Sequence, residues 1–68
     1  MSDKALASIL LAKAYQVDAI LEEVEDLLRN SPHWNRHEAQ GNTLPNLIMA
    51  SNGLSTLAEI LTEEALNG

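Results

Sequence analysis

From Asp3 to Asn30 the chain contains neither glycine nor proline, and its apolar residues recur at alternating three- and four-residue steps. Leu6, Leu10, Val17, Ile20, Val24 and Leu27 carry that rhythm, and Ile9, Leu21 and Leu28 widen it. Such spacing places apolar side chains on one side of a 3.6-residue turn, so the segment is expected to be one long amphipathic helix. Ser2 is placed to cap it, its hydroxyl accepting from an unpaired N–H of the first turn. The pattern stops at Asn30-Ser31-Pro32, because proline disfavours helical geometry in its predecessor and has no N–H to donate. At about 1.5 Å per residue the helix would be roughly 42 Å long.

A second periodic stretch follows. Leu47, Ala50, Leu54, Leu57, Ala58, Leu61 and Ala65 form one stripe, predicting a helix from about Thr43, as its cap, to about Leu66, with Pro45 tolerated in the first turn. Asn52-Gly53 often marks a turn, and Thr56-Leu57-Ala58-Glu59 has the spacing of a capping box that restarts a helix. The stripe nevertheless passes Gly53 without a shift of phase, which favours one continuous helix. Residues 31–42 form a polar connection. It is either plain loop or holds a short helix of its own, with Ser31 as cap, Pro32 first and Gly41 last. The expected architecture is a single all-α domain, residues 1–68, folded as an antiparallel helical hairpin: helix about 3–30, connection 31–42, helix about 43–66.

A chain of 68 residues buries only about 60% of the surface that its unfolded form exposes, so one copy has a marginal core. It has no cysteine to add a disulfide, and its aromatics are Tyr15 and Trp34 alone. The second helix also carries more apolar surface than one companion can cover. Met49, Gly53, Thr56 and Ile60 recur at four, three and four residues, roughly 120° around from the main stripe at 100° per residue. The first helix has a smaller excess in Leu11 and Tyr15, flanked by Ala7 and Ala14. These residues, Leu11, Tyr15, Met49, Gly53, Thr56 and Ile60, are the expected dimer interface, with two hairpins dimerising into a four-helix bundle. Gly53 would be where backbones approach, and Gly53→Leu is expected to disturb association more than helicity.

The formal net charge of −6 argues against a phosphate-binding surface and against an anionic membrane face. No apolar run reaches the ~18 residues needed to span a bilayer, and Met1-Ser2-Asp3-Lys4 lacks the start of an export signal, so a cytoplasmic protein is expected. Asp18, Glu22, Glu23, Glu25 and Asp26 form an acidic cluster toward the end of the first helix. There they oppose the helix dipole, at roughly 0.3–1 kcal/mol each when exposed. The positive start of the second helix, lying alongside, offsets part of this. Only Glu25 and Arg29 make a favourable pair in the better orientation. The cluster is either a solvated face or, with Trp34, a docking surface for a basic protein: Asp18, Glu22, Glu25, Asp26 and Trp34 are the candidate partner-binding residues. In the other reading Trp34 folds back over the open end of the bundle.

Lys13 interrupts the first stripe. It is expected to snorkel to the edge or to pair with Glu59 or Glu63 across the hairpin. His33 and His37 lie four apart with Glu38 next, a spacing compatible with a divalent metal. The intervening Trp34-Asn35-Arg36 does not give the HExxH order, Arg36 would repel a cation, and no third ligand is identifiable, so no metal and no cofactor are expected. A nucleophile placed beside a base and a glycine-rich phosphate loop are both missing from the sequence, and no enzymatic role is expected.

In pattern, the two long helices resemble the small hairpin-dimer regulators of plasmid RNA, which form four-helix bundles. Those bind RNA through a basic helical face, and the matching face here is acidic. In size and charge the chain is also similar to small acidic helical inhibitors made by phages and mobile elements. The function expected is therefore a non-enzymatic, acidic protein-interaction module of regulatory or inhibitory type, acting as a homodimer on a basic protein partner. The alternatives are a structural assembly subunit that packs its extra apolar seam on a different protein, and a nucleic-acid-binding hairpin dimer that converges Lys4, Lys13, Arg29 and Arg36.

Overall fold

The computed structural model describes residues 1–67. Helix α1 spans Asp3–Arg29 and helix α2 spans Leu44–Asn67; the two pack against each other along their lengths as a hairpin. The described residues contain no strand. The Ser2 hydroxyl accepts from the Ala5 N–H at 3.1 Å, which fixes the start of α1 as its sequence implies. At the other end the unpaired carbonyls of the last turn find local donors. The Asn30 side-chain amide donates to the Asp26 carbonyl at 2.9 Å, and the Ser31 hydroxyl donates to Leu28 at 2.8 Å while accepting from the His33 N–H at 3.1 Å. Ser31 therefore closes α1 instead of opening a short helix after it.

The connection is shorter than expected. Helical winding resumes at His37 and Glu38, passes through five residues of π-helix at Ala39–Thr43, and runs on into α2. Thr43 thus lies inside a helix and caps nothing, and Gly41 does not end one. The wide turn has a local reason in Pro45. A proline inside a helix has no N–H to donate, and its ring collides with the carbonyl four residues back, here Gly41. In the π segment the Leu44 N–H instead reaches the Ala39 carbonyl, five residues back, and the widened turn accommodates the ring. Gly41 matters for a second reason. A Cβ at this position would sit 2.7 Å from the His37 ring, so the glycine lets the imidazole lie across the next turn. No described residue has a positive φ, so the reversal from α1 to α2 is made without left-handed backbone.

The buried seam is narrower and more regular than the predicted stripes. On α1 the inward positions are Ala7, Leu10, Ala14, Val17, Leu21, Val24 and Leu28; on α2 they are Leu44, Leu47, Ser51, Leu54, Ala58 and Leu61. Both series step by three and four residues with a seven-residue repeat, as in an antiparallel coiled coil. Its most deeply buried members are small. Ala7, Ala14, Ser51 and Ala58 recur at sevens and let the helices approach closely, whereas Leu6, Ile20, Leu27, Ala50 and Leu57, assigned inward from the sequence, lie on the flank and stay exposed. Ser51 links the two helices: its hydroxyl lies 3.5 Å from the Ala14 carbonyl and donates to Asp18 Oδ1 at 2.5 Å. α2 passes Asn52-Gly53 unbroken, as the phase of its pattern implies.

The resulting body is a rod of 51 × 17 × 13 Å. Its radius of gyration, 15.3 Å, exceeds the roughly 11 Å of a compact domain of this length. Among the described residues no large side chain is fully buried.

Candidate functional site

The seam divides the rod into two broad faces. One carries a groove between the helices of about 490 Å³, with Ala7, Ser8 and Leu11 of α1 on one side and Ser55, Ala58 and Thr62 of α2 on the other. Lys4, Glu59 and Glu63 rim it. By the same helical geometry the opposite face takes the residues that flank the seam on its other side: Leu6, Ile9, Lys13, Gln16, Ile20, Glu23 and Leu27 from α1, and Asn46, Ala50, Gly53, Leu57, Ile60 and Glu64 from α2. Leu6, Ile9, Ile20, Leu27, Leu57 and Ile60 are all exposed, Leu27 at 72%. The apolar residues of this face run most of the length of the hairpin, interrupted by Lys13, Gln16 and Glu23 on α1. Single exposed leucines are ordinary, whereas six exposed leucines and isoleucines on one face of a small protein are more than scatter.

The residues expected to form the dimer interface do not converge on one surface. Gly53 and Ile60 join the apolar face. Leu11 lines the groove on the opposite face, with Tyr15 one turn further along the same side of α1. Met49 and Thr56 fall on the outer line of α2, opposite its seam, where Met49 is 66% exposed. Leu6, Ile9, Ile20 and Leu57 belong to the apolar face, whereas the hydropathy pattern by itself places them on the seam. The signal that separates them is the alanine and serine repeat at sevens: a close-packed antiparallel pair buries its small residues and leaves the larger flanking ones outside.

Gly53 is instructive. A Cβ built there meets nothing within 4 Å, so the hairpin itself has no use for a glycine at that position. Glycine costs about 1 kcal/mol against alanine in a helix interior. Gly53→Ala is accordingly expected to raise the helicity and melting temperature of the chain, read by circular dichroism. Gly53→Leu keeps the helix intact but places a branched side chain in the middle of the apolar face, and is expected to weaken self-association measured by light scattering.

The acidic candidates are drawn in different directions. Asp18 accepts from Ser51 at the seam. Glu25 accepts from Arg29 in the ion pair that its spacing predicts, with 58% of the arginine and 38% of the glutamate side chain exposed, so the pair contributes only about 0.3–0.5 kcal/mol. The Arg29 guanidinium also lies 5.1 Å from the centre of the Trp34 ring, over its face. Trp34 is thereby held half-buried against the end of α1, and its carbonyl accepts from the Gln40 amide at 2.7 Å. Glu22 and Asp26 are exposed. Glu23, Asp26, Leu27 and Asn30 line a second, shallower depression at the connection end of α1.

Lys13 does not pair across the hairpin. Its Nζ lies 3.4 Å from Gln16 Oε1, one turn along its own helix, while Glu59 and Glu63 stand on the groove face. Among the described residues no three His, Cys, Asp or Glu side chains are grouped as metal ligands, and His37 lies against Gly41. No helix of the described residues is long and apolar enough to cross a membrane. The chain matches no protein-family model, no curated protein and no solved structure.

Proposed function

We propose that this chain is a non-enzymatic protein-interaction module of regulatory or inhibitory type, working in the cytoplasm as a homodimer of hairpins that acts on a basic protein partner. The observation that carries the self-association is the row of exposed apolar residues Leu6, Ile9, Ile20, Leu27, Leu57 and Ile60 on the face that also holds Lys13. A rod 13 Å thick is little more than one helix deep, so it has no interior in which a reaction site would be kept from water. Nor is any large side chain fully buried among the described residues. A second copy supplies the missing layer. Two such layers placed face to face make four helices around one apolar centre.

Net charge of −6 per chain gives the pair a strongly negative exterior, which attracts basic partners and repels nucleic acid. The assembly-subunit reading uses the same apolar face for a different protein. The two differ in the behaviour of the purified chain. A homodimer is monodisperse alone, whereas an assembly subunit aggregates or stays poorly folded until its partner is co-expressed. Size-exclusion chromatography of the chain expressed alone distinguishes them: one sharp dimeric peak supports the homodimer, and void-volume material contradicts it.

A further inference from the structure

We infer that the groove face is a docking site for a basic amphipathic helix of a partner protein. This specifies the partner in the interaction-module reading, and it does not depend on the chain being a dimer, because the groove lies on the face opposite the apolar one.

The groove has the shape that a third helix needs. Its floor is made of small side chains, Ala7, Ser8, Ser55 and Ala58, so the ridge of an incoming helix settles between α1 and α2 without first displacing a large residue. Leu11 stands in it, and beyond Leu11 the same face continues with Tyr15, 65% exposed, and Ile48, 46% exposed. The middle of the face therefore carries three apolar side chains, Leu11, Tyr15 and Ile48, beside the small Ser8 and Ser55 and the polar, uncharged Asn52, one seven-residue repeat before Glu59. Both ends are acidic. Glu59 and Glu63 of α2 rim the groove near the start of α1, and Asp18 and Glu22 of α1 follow Tyr15 toward the connection. Lys4 is the cation among the groove residues and lies at the Glu63 end. From Lys4 to Glu22 the face covers about 27 Å at ~1.5 Å per residue, matching a helix of about eighteen residues. The complementary ligand is a helix of that length with leucine-like side chains at its centre and lysine or arginine at both ends. A partner helix with acids at its ends meets like charge at both ends of the groove and is rejected.

The experiment uses the full chain and two synthetic probes, read by isothermal titration calorimetry. The first probe is an acetylated and amidated eighteen-residue peptide of alanine and leucine with lysines in its first and last turns; the second replaces each lysine by glutamate. The lysine peptide is expected to bind and the glutamate peptide not. Ser55→Trp, which fills the groove without changing charge, is expected to weaken binding by at least about tenfold, as occluding the centre of an interface does. Should that variant lose its helicity, the pair Glu59→Lys and Glu63→Lys, both on exposed side chains, supplies the same test and is expected to weaken binding by about tenfold at low salt. Equal binding of both peptides, or undiminished binding to a folded Ser55→Trp chain and to the double lysine variant, would overturn the inference. A dimeric chain that ignores the lysine peptide overturns it too and leaves the self-association standing. A monomeric chain that binds the peptide in the groove supports it and removes the self-association instead.

Discussion

Ala14→Leu is expected to lower the melting temperature of this chain by about 5–20 °C, the shift that a loss of ~1–3 kcal/mol produces in so small a domain. Ala14 is 1% exposed, and its carbonyl lies 3.5 Å from the Ser51 hydroxyl of the other helix. Three added carbons at that point have no space to enter, so the helices must separate. Separation also stretches the Ser51 hydroxyl away from Asp18 and loosens the leucines on either side of the contact. Ala19→Leu is the control. It adds the same atoms to the same helix at an exposed position on the outer line, where surface substitutions usually change stability by less than about 0.5 kcal/mol. Thermal melts followed at the helical circular-dichroism minimum check both. Equal effects of the two substitutions would show that the small-residue seam does not set the packing.

Leu57→Asp is expected to convert a dimer into monomers, with dissociation favoured by at least about a hundredfold, since each copy would bury an unpaired carboxylate in apolar contact. In a lone hairpin the same substitution is mild, because Leu57 is already 45% exposed there. The contrast makes it diagnostic: a large change in association without a matching change in the monomer's own fold. Thr56→Asp introduces the same charge one residue away, on the outer line of α2, and is expected to leave the mass unchanged. Analytical ultracentrifugation over a concentration series reads both. If Thr56→Asp dissociated the chain and Leu57→Asp did not, the contact would run along the Met49–Thr56 line instead of the apolar face.

The helices themselves were legible from local chemistry. The Ser2 cap, the stop at Asn30-Ser31-Pro32 and the continuity through Gly53 each follow from residue type and phase, and each is present. The rotation of the helices about their axes was not. A hydropathy stripe weights large aliphatic side chains and therefore centres the buried face on Leu6, Ile20 and Leu27. The packed pair centres it one residue later, on the line of Ala7, Ala14, Leu21 and Leu28, whose two alanines are its most deeply buried members. The exposed leucines and isoleucines that follow from this rotation are the strongest pointer to a partner, and they emerge only once the seam is known. The π segment was hidden for a different reason. Gly41 and Pro45 have the composition of a helix end and a helix start, and only their four-residue separation, which sets the proline ring against the Gly41 carbonyl, turns the pair into a widened turn inside one helix.

Of the candidate site, the acidic residues were found as a cluster in sequence, yet their directions depend on partners that the sequence does not display. Ser51 takes Asp18, and Arg29 takes Glu25 while covering Trp34. Acids on α2, Glu59 and Glu63, share a face with Asp18 and Glu22 because the hairpin is antiparallel and its register is fixed at Ala14 and Ser51.

One hairpin leaves its own apolar face open to water, and a second copy of the chain is proposed to cover it. Multi-angle light scattering of the purified chain at tens of micromolar tests this most directly. A single species at twice the 7.4 kDa of one chain is the expected result. A monodisperse, helical species at 7.4 kDa would contradict it, because Leu6, Ile9, Ile20, Leu27, Leu57 and Ile60 would then stand stably in water with nothing upon them.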